Sequence, residues 1–179
     1  KRQPQEIIEI PQGSTGDRTY TANWQVIKYT IITLLEGGNA GSSEVYFYTV
    51  EQTVTLPTPT RTGYTFLGWT GEGITTPQTS VKIPKGSTGN KAYTANWQVI
   101  EYTITLDTNG GPVVSPIKYT VEDSFTLPYP LRPGYEFAGW TLDGSGMLPA
   151  TTLIIYYGTT GDLHYKAEWR LAEYTITME

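Results

Sequence analysis

The chain has 179 residues, no cysteine, 12 basic against 17 acidic side chains and a sequence pI near 4.9. The missing cysteines exclude disulfides and thiolate metal sites, and a net charge of −5 excludes the basic face that meets nucleic acid or an anionic membrane. No apolar run approaches the roughly 18 residues of a membrane span, and 14 Tyr with 5 Trp set the chain apart from disordered compositions.

From the N-terminus, residues 18–24 (RTYTANW) read as the last strand of a repeat unit whose earlier part is not in the chain. Tyr29-Thr30-Ile31-Ile32-Thr33-Leu34 reads as a first strand carrying one extra residue, a candidate bulge, followed by a turn at Glu36-Gly37-Gly38-Asn39. The pattern is clearest further on. Tyr102-Thr103-Ile104-Thr105-Leu106 alternates apolar and polar, so Tyr102, Ile104 and Leu106 face a core and the threonines face out. Asn109-Gly110-Gly111 predicts a type I′ turn, because Asn and Gly tolerate positive φ. A second strand returns over Ile117–Val121. The prolines of Leu127-Pro128-Tyr129-Pro130-Leu131-Arg132-Pro133-Gly134 forbid a helix and predict an extended crossing segment. Glu136–Thr141 is a third strand, 142–150 a loop, Leu153–Tyr156 a short strand or packed edge, and Gly158–Asp162 a turn. Leu163, Tyr165, Ala167 and Trp169 then alternate along a final strand, and residues 173–178 restart the first-strand pattern. No window predicts an amphipathic helix.

The chain repeats itself. Trp24, Trp97 and Trp169 recur at intervals of 73 and 72 residues, as do Tyr29, Tyr102 and Tyr174. The block YTVEQTVTLPTPTRTGYTFLGWT at 48–70 returns at 119–141 as YTVEDSFTLPYPLRPGYEFAGWT. Period and content mark a tandem array. Residues 1–24 are the C-terminal part of a preceding repeat, 25–97 and 98–169 are complete repeats, and 170–179 hold the first strand of a following one. Only Gln98-Val99-Ile100 lies between the last strand of one unit, ending near Trp97, and the first strand of the next, beginning near Glu101 or Tyr102. This is no Gly/Ser tether, and its two β-branched residues are expected to seal the junction.

Candidate chemistry is thin. His164 is the single histidine and its counterparts are Ala92 and Thr19, so no repeated triad or metal cluster forms around it. Asp107, Glu122, Asp123, Asp143 and Asp162 read as solvated loop charge rather than a glycosidase pair. Asp107 is matched to Leu35 or Glu36 across the gap, Asp123 to Gln52 and Asp143 to Glu72. Gly86-Ser87-Thr88-Gly89-Asn90 lacks the lysine and following helix of a phosphate loop. Leu148–Thr152 lacks the glycine of a sortase signal. Trp69, Trp97, Trp140 and Trp169 sit beside small residues on strand patterns and read as core. Tyr46, Tyr48, Tyr129, Tyr156 and Tyr157 are the aromatics expected at the surface, where a glycan would stack.

The residues that repeat carry a resemblance. Tyr102–Gly111 is the opening, Leu127–Trp140 and Leu56–Trp69 the L-P-x-P…G-Y-x-F-x-G-W centre, and Tyr93–Trp97 and Tyr165–Trp169 the Y-x-A-x-W ending. Together, over about nine tenths of the chain, they resemble the Listeria–Bacteroides repeat, the B-repeat type of internalin B. The motif positions are Gly63, Tyr64, Phe66, Gly68, Trp69, Trp97, Asn109, Gly110, Gly134, Tyr135, Phe137, Gly139, Trp140 and Trp169. Unit 25–97 departs where Glu36-Gly37-Gly38-Asn39 replaces the N-G-G turn. The resemblance implies a mainly β fold of tandem, small β-grasp-like modules arranged end to end, with little or no helix. It further implies a non-enzymatic spacer or stalk, with an adhesion or protein-interaction role, at the bacterial cell surface or wall. A carbohydrate-binding module using exposed aromatics is the alternative. No cofactor or metal is expected. The expected partners are a host or bacterial surface protein or a glycan, together with head-to-tail self-association through residues 18–24 and 173–178.

Overall fold

The computed structural model describes residues 6–41 and 45–178. Among them are thirteen strands and no helix. In the first complete repeat, β1 (Tyr29–Leu34) pairs antiparallel with β2 (Val45–Tyr48) and parallel with β7 (Lys91–Val99). Strand β4 (Tyr64–Gly71) lies on the other side of β7 and is flanked by β5 (Ile74–Gln78), giving the order β2-β1-β7-β4-β5. The second repeat repeats the plan with β8 (Tyr102–Asp107), β9 (Ile117–Tyr119), β11 (Tyr135–Leu142) and β13 (Leu163–Leu171), in the order β11-β13-β8-β9. First and last strands are parallel neighbours in both sheets, as a β-grasp plan requires. A two-stranded clip covers each core: β3 (Val54–Thr55) with β6 (Lys82–Ile83), and β10 (Phe125–Thr126) with β12 (Ile154–Ile155).

Alternation sets which side chains enter the core. Tyr48, Ile31, Trp69, Tyr93 and Ala95 are buried in the first repeat, and Tyr119, Ile104, Trp140, Tyr165 and Ala167 in the second. Each sheet therefore has one apolar face, closed by the clip and the proline-rich crossing segment.

Five expectations change. Strand β1 carries no bulge, because its register with β2 and β7 is continuous. The two repeats align here without a gap, so Asp107 matches Leu34 rather than Leu35 or Glu36. The bulges fall instead in β4, between Phe66 and Gly68, and in β11, between Phe137 and Gly139. There φ is 133° and 134°, and a Cβ would strike the backbone of Gln78 or Ala150 at 2.4 or 2.5 Å. Glycine is needed because the backbone of the paired neighbour, Gln78 of β5 or Ala150, stands where a Cβ would lie. The strand expected over Ile117–Val121 ends at Tyr119, where Thr120–Asp123 turns. Tyr48, expected at the surface, is 1% exposed, and its hydroxyl donates to the Gly89 carbonyl; Tyr46 is half-buried against the same core. Residues 18–24 and 173–178 form no strands and lie exposed, with Trp24 at 92%. A strand is held by ladder bonds to a neighbour, and neither segment has a ladder partner among the described residues.

Candidate functional site

The feature that a tandem array must build is the contact between one repeat and the next. Strand β7 continues past Trp97 to Val99, so the short connection is itself sheet: Gln98 and Val99 pair with Thr65 and Tyr64 of β4. The Ile100 N–H then donates to the Gly63 carbonyl at 2.9 Å. Only Ile100 and Glu101 stand between β7 and β8, which leaves little freedom for the second repeat.

Two side-chain contacts fix its position. Gly63 is held at φ 76° by the Arg61–Tyr64 turn, in which the Tyr64 N–H donates to the Arg61 carbonyl at 3.1 Å. Onto this glycine pack the methyls of Val121 from the second repeat. A Cβ on Gly63 would lie 2.1 Å from one of them. Beside it, the Tyr64 hydroxyl donates to Glu122 Oε1 at 2.5 Å. The Arg61 guanidinium covers the other side of the Tyr64 ring at 3.6 Å from its centroid. Accepting the proton of Tyr64, Glu122 pushes the phenol pKa up, and partial desolvation adds to this. Val121 and Glu122 are presented by a turn in which the Asp123 N–H donates to the Thr120 carbonyl and the Asp123 carboxylate accepts from the Thr120 N–H.

The remaining motif residues build the modules on either side. Trp69 and Trp140 are 0% and 1% exposed, and their indole N–H groups donate to the carbonyls of Pro57 and Pro128. The proline-rich segment thus supplies the acceptor that a buried indole needs. Trp97 and Trp169 are half-buried, edge-on to Phe66 and Phe137, and donate to the carbonyls of Leu35 and Thr108 at 2.9 Å. Asn109 and Gly110, at φ 49° and 91°, form the expected turn, closed by Gly111 N–H to Thr108 carbonyl. Glu36 and Gly37 reproduce it at 48° and 82°. Burial raises the pKa of Tyr48, Tyr93, Tyr119 and Tyr165, and the hydroxyls of Tyr48 and Tyr119 donate to the carbonyls of Gly89 and Gly161.

The carboxylates weighed as catalysts are dispersed and mostly occupied. Asp107 accepts from the Asn109 N–H, Asp162 from the Thr103 N–H, Glu122 from Tyr64, and Asp123 from Thr120. Asp143 and His164 are exposed and meet through a backbone bond from Asp143 N–H to the His164 carbonyl. Among the described residues no group of three or more His, Asp or Glu is placed to hold a metal ion. The Gly-rich loops orient strands: Asn90 and Asp162 accept from the N–H of Thr30 and Thr103 on the first strands. The junction pair Gly63–Val121 could not be found from the sequence, because Val121 reads there as the end of a strand.

The sequence profile of the Listeria-Bacteroides repeat domain matches twice, over residues 29–96 and 102–164. The chain belongs to the Listeria-Bacteroides repeat family. Both matches coincide with the two complete modules of the fold, each running from its first strand into its last. Relatives of this repeat array include two proteins of Evansella cellulosilytica, which carry provisional names, one a Gly-rich membrane protein and the other a membrane protein. They are 28% and 27% identical to the chain over 90% of its length. The chain spans 18% and 24% of their lengths.

Proposed function

We propose that this chain is a non-enzymatic spacer region of a bacterial cell-surface protein, holding other parts of that protein at a set distance and angle. The observation that carries the reading is the junction. A connection absorbed into β7 and a valine seated on a bare glycine leave little play between repeats, which suits a stalk and not a tether. Membership of the repeat family and the membrane-protein names of the relatives support a surface location, outside the cell.

The carbohydrate-binding alternative needs an exposed aromatic row that recurs from repeat to repeat. Tyr129, Tyr156 and Tyr157 are exposed in the second repeat, but their counterparts in the first are Thr58, Pro84 and Lys85. Tyr129 also packs edge-on against Phe137 at 4.9 Å, covering core. Small-angle scattering tests the spacer. A rigid row of modules gives a radius of gyration above roughly 20 Å, against ~16 Å for one globule of this length. A value near the globular figure, or a flexible-chain profile, overturns the spacer. Saturable binding to surface glycans, lost in Tyr156→Ala/Tyr157→Ala, would move the assignment to the alternative.

A further inference from the structure

The two sheets turn chemically different faces to solvent. The alternation that sends Ile31 and Tyr48 into the first core sends Ile32, Leu34, Val45 and Phe47 outward on β1 and β2. Ile32 stands directly opposite Val45 across the ladder, and Phe47 opposite Thr30. The four apolar side chains are exposed, Ile32 at 43%, Leu34 at 49%, Val45 at 44% and Phe47 at 67%. Leu67, in the bulge of β4, adds a fifth on the far side of β7. The outward positions of β7 between them hold Ala92, Thr94 and Asn96. No charged residue occupies an outward position of β1, β2, β4 or β7.

In the second repeat the same positions hold Thr105, Asp107, Pro116 and Lys118, with Ala138 in place of Leu67. Its outward face also carries Glu136, Lys166 and Glu168, and Lys118 pairs with Glu101 at 3.3 Å. The fold therefore does not demand apolar residues there. The junction does not use the face either. The second repeat reaches the first through Val121 and Glu122 against Gly63 and Tyr64. The same register on the other side of the first repeat falls on Val50 and Glu51, in the turn closed by Gln52 N–H to Thr49 carbonyl. Repeats joined in this way leave the outer sheet face open on both counts. An exposed apolar patch that neither folding nor the array requires marks an interaction site.

We infer that this face packs, sheet on sheet, against the same face of a second copy of the chain. An uncharged face meets its own copy without like-charge repulsion, and it offers a charged partner nothing to pair with, so ions brought against it would be desolvated without return. The area is sufficient. Four strands about 4.8 Å apart and about six residues long make a face of about 20 by 20 Å. Its side chains offer on the order of 500 Å² per copy, so that pairing reaches the roughly 1,000 Å² total of a specific interface. Strands of the two sheets then lie within about 30° of each other, with Ile32 and Phe47 of both copies inside the contact. Such a contact is isologous and closes at two copies. It joins chains side by side, unlike the head-to-tail association of 18–24 with 173–178. It goes beyond the spacer reading and stands whether or not the row of repeats is rigid.

Sedimentation equilibrium over a concentration series reaching the high micromolar range tests this on the full chain. A monomer–dimer equilibrium is expected. The triple variant Ile32→Thr/Leu34→Asp/Phe47→Lys gives the first repeat the residues that the second carries at the same places, so the fold tolerates them, as circular dichroism checks. It should weaken the dimer at least tenfold. Because the chain has no cysteine, crosslinking gives a second readout that does not depend on how the triple variant folds. Ile32→Cys, treated with a short bis-maleimide, should yield a single dimer band, and Thr105→Cys, its equivalent in the second repeat, should not. A native chain that stays monomeric throughout the series overturns the inference. So does a dimer that survives the triple variant, which would belong to another surface such as the terminal segments. Equal crosslinking of the two cysteine variants, or a ladder beyond the dimer, overturns it as well.

Discussion

In the repeat at 25–97 the first strand sends Thr33 into the core and the residue two on is Leu35; in the repeat at 98–169 the same two places hold Leu106 and Thr108. All four are buried, and the large and small members have changed places. A core accepts such an exchange when its total volume is kept. At the crossing segment the repeats diverge further. Tyr129 closes over Phe137, which is buried, whereas Thr58 leaves Phe66 half-exposed. At the edge, β5 pairs with β4 in the first repeat, while a single bridge from Trp140 to Ala150 replaces it in the second. The features that stay identical are the indole bonded to a proline carbonyl, the bulge glycine against the backbone of its paired neighbour and the positive-φ turn. The comparison separates what the fold demands from what it tolerates.

The largest test removes a shared feature. Trp69→Ala or Trp140→Ala should cost about 3–5 kcal/mol and melt the altered repeat first, so that calorimetry resolves two transitions. A single unchanged transition would place these indoles outside the core. Next, Gly68→Ala and Gly139→Ala should each cost about 2–3 kcal/mol, equally in the two repeats, since both drive a Cβ into backbone; denaturant titration measures this. The third pair breaks the symmetry. Gly63→Ala and Gly134→Ala share the cost of positive φ, about 1–2 kcal/mol, but only Gly63→Ala collides with Val121. An extra loss of about 1 kcal/mol, with amide chemical shifts of Val121 and Glu122 moved, should appear in Gly63→Ala alone. The smallest effect sharpens the turn. Glu36 is held at φ 48° where the other repeat has Asn109, so Glu36→Asn should stabilise the first repeat by about 0.5–1 kcal/mol, read as a rise in its melting temperature.

Much of this was legible in the residues. Alternation at Tyr102–Leu106 and Leu163–Trp169 located the paired first and last strands, and the Trp and Tyr spacing set the period. The short strands β3 and β10 escaped because two residues carry no periodicity. Ile31-Ile32 resembles an insertion in β1, whereas the glycines of G-W mark the real bulge, and their constraint comes from Gln78 and Ala150, residues distant in sequence. Tyr48 looked like surface for a related reason. Its acceptor, the Gly89 carbonyl, is 41 residues away. The junction was the least legible, since Gly63 and Val121 are matched by shape and nothing in either local pattern announces the other.

The parallel pairing of first and last strands has a consequence for a protein under tension. In each repeat the chain enters at the start of one strand and leaves at the end of its parallel neighbour, β1 with β7 and β8 with β13. A pull on the two ends therefore slides these strands past each other, and the evenly spaced bonds of a parallel ladder share the load instead of parting one at a time. Resistance to such a pull is set by the barrier to unfolding rather than by equilibrium stability. A repeat of modest thermal stability can thus act as a strong mechanical link.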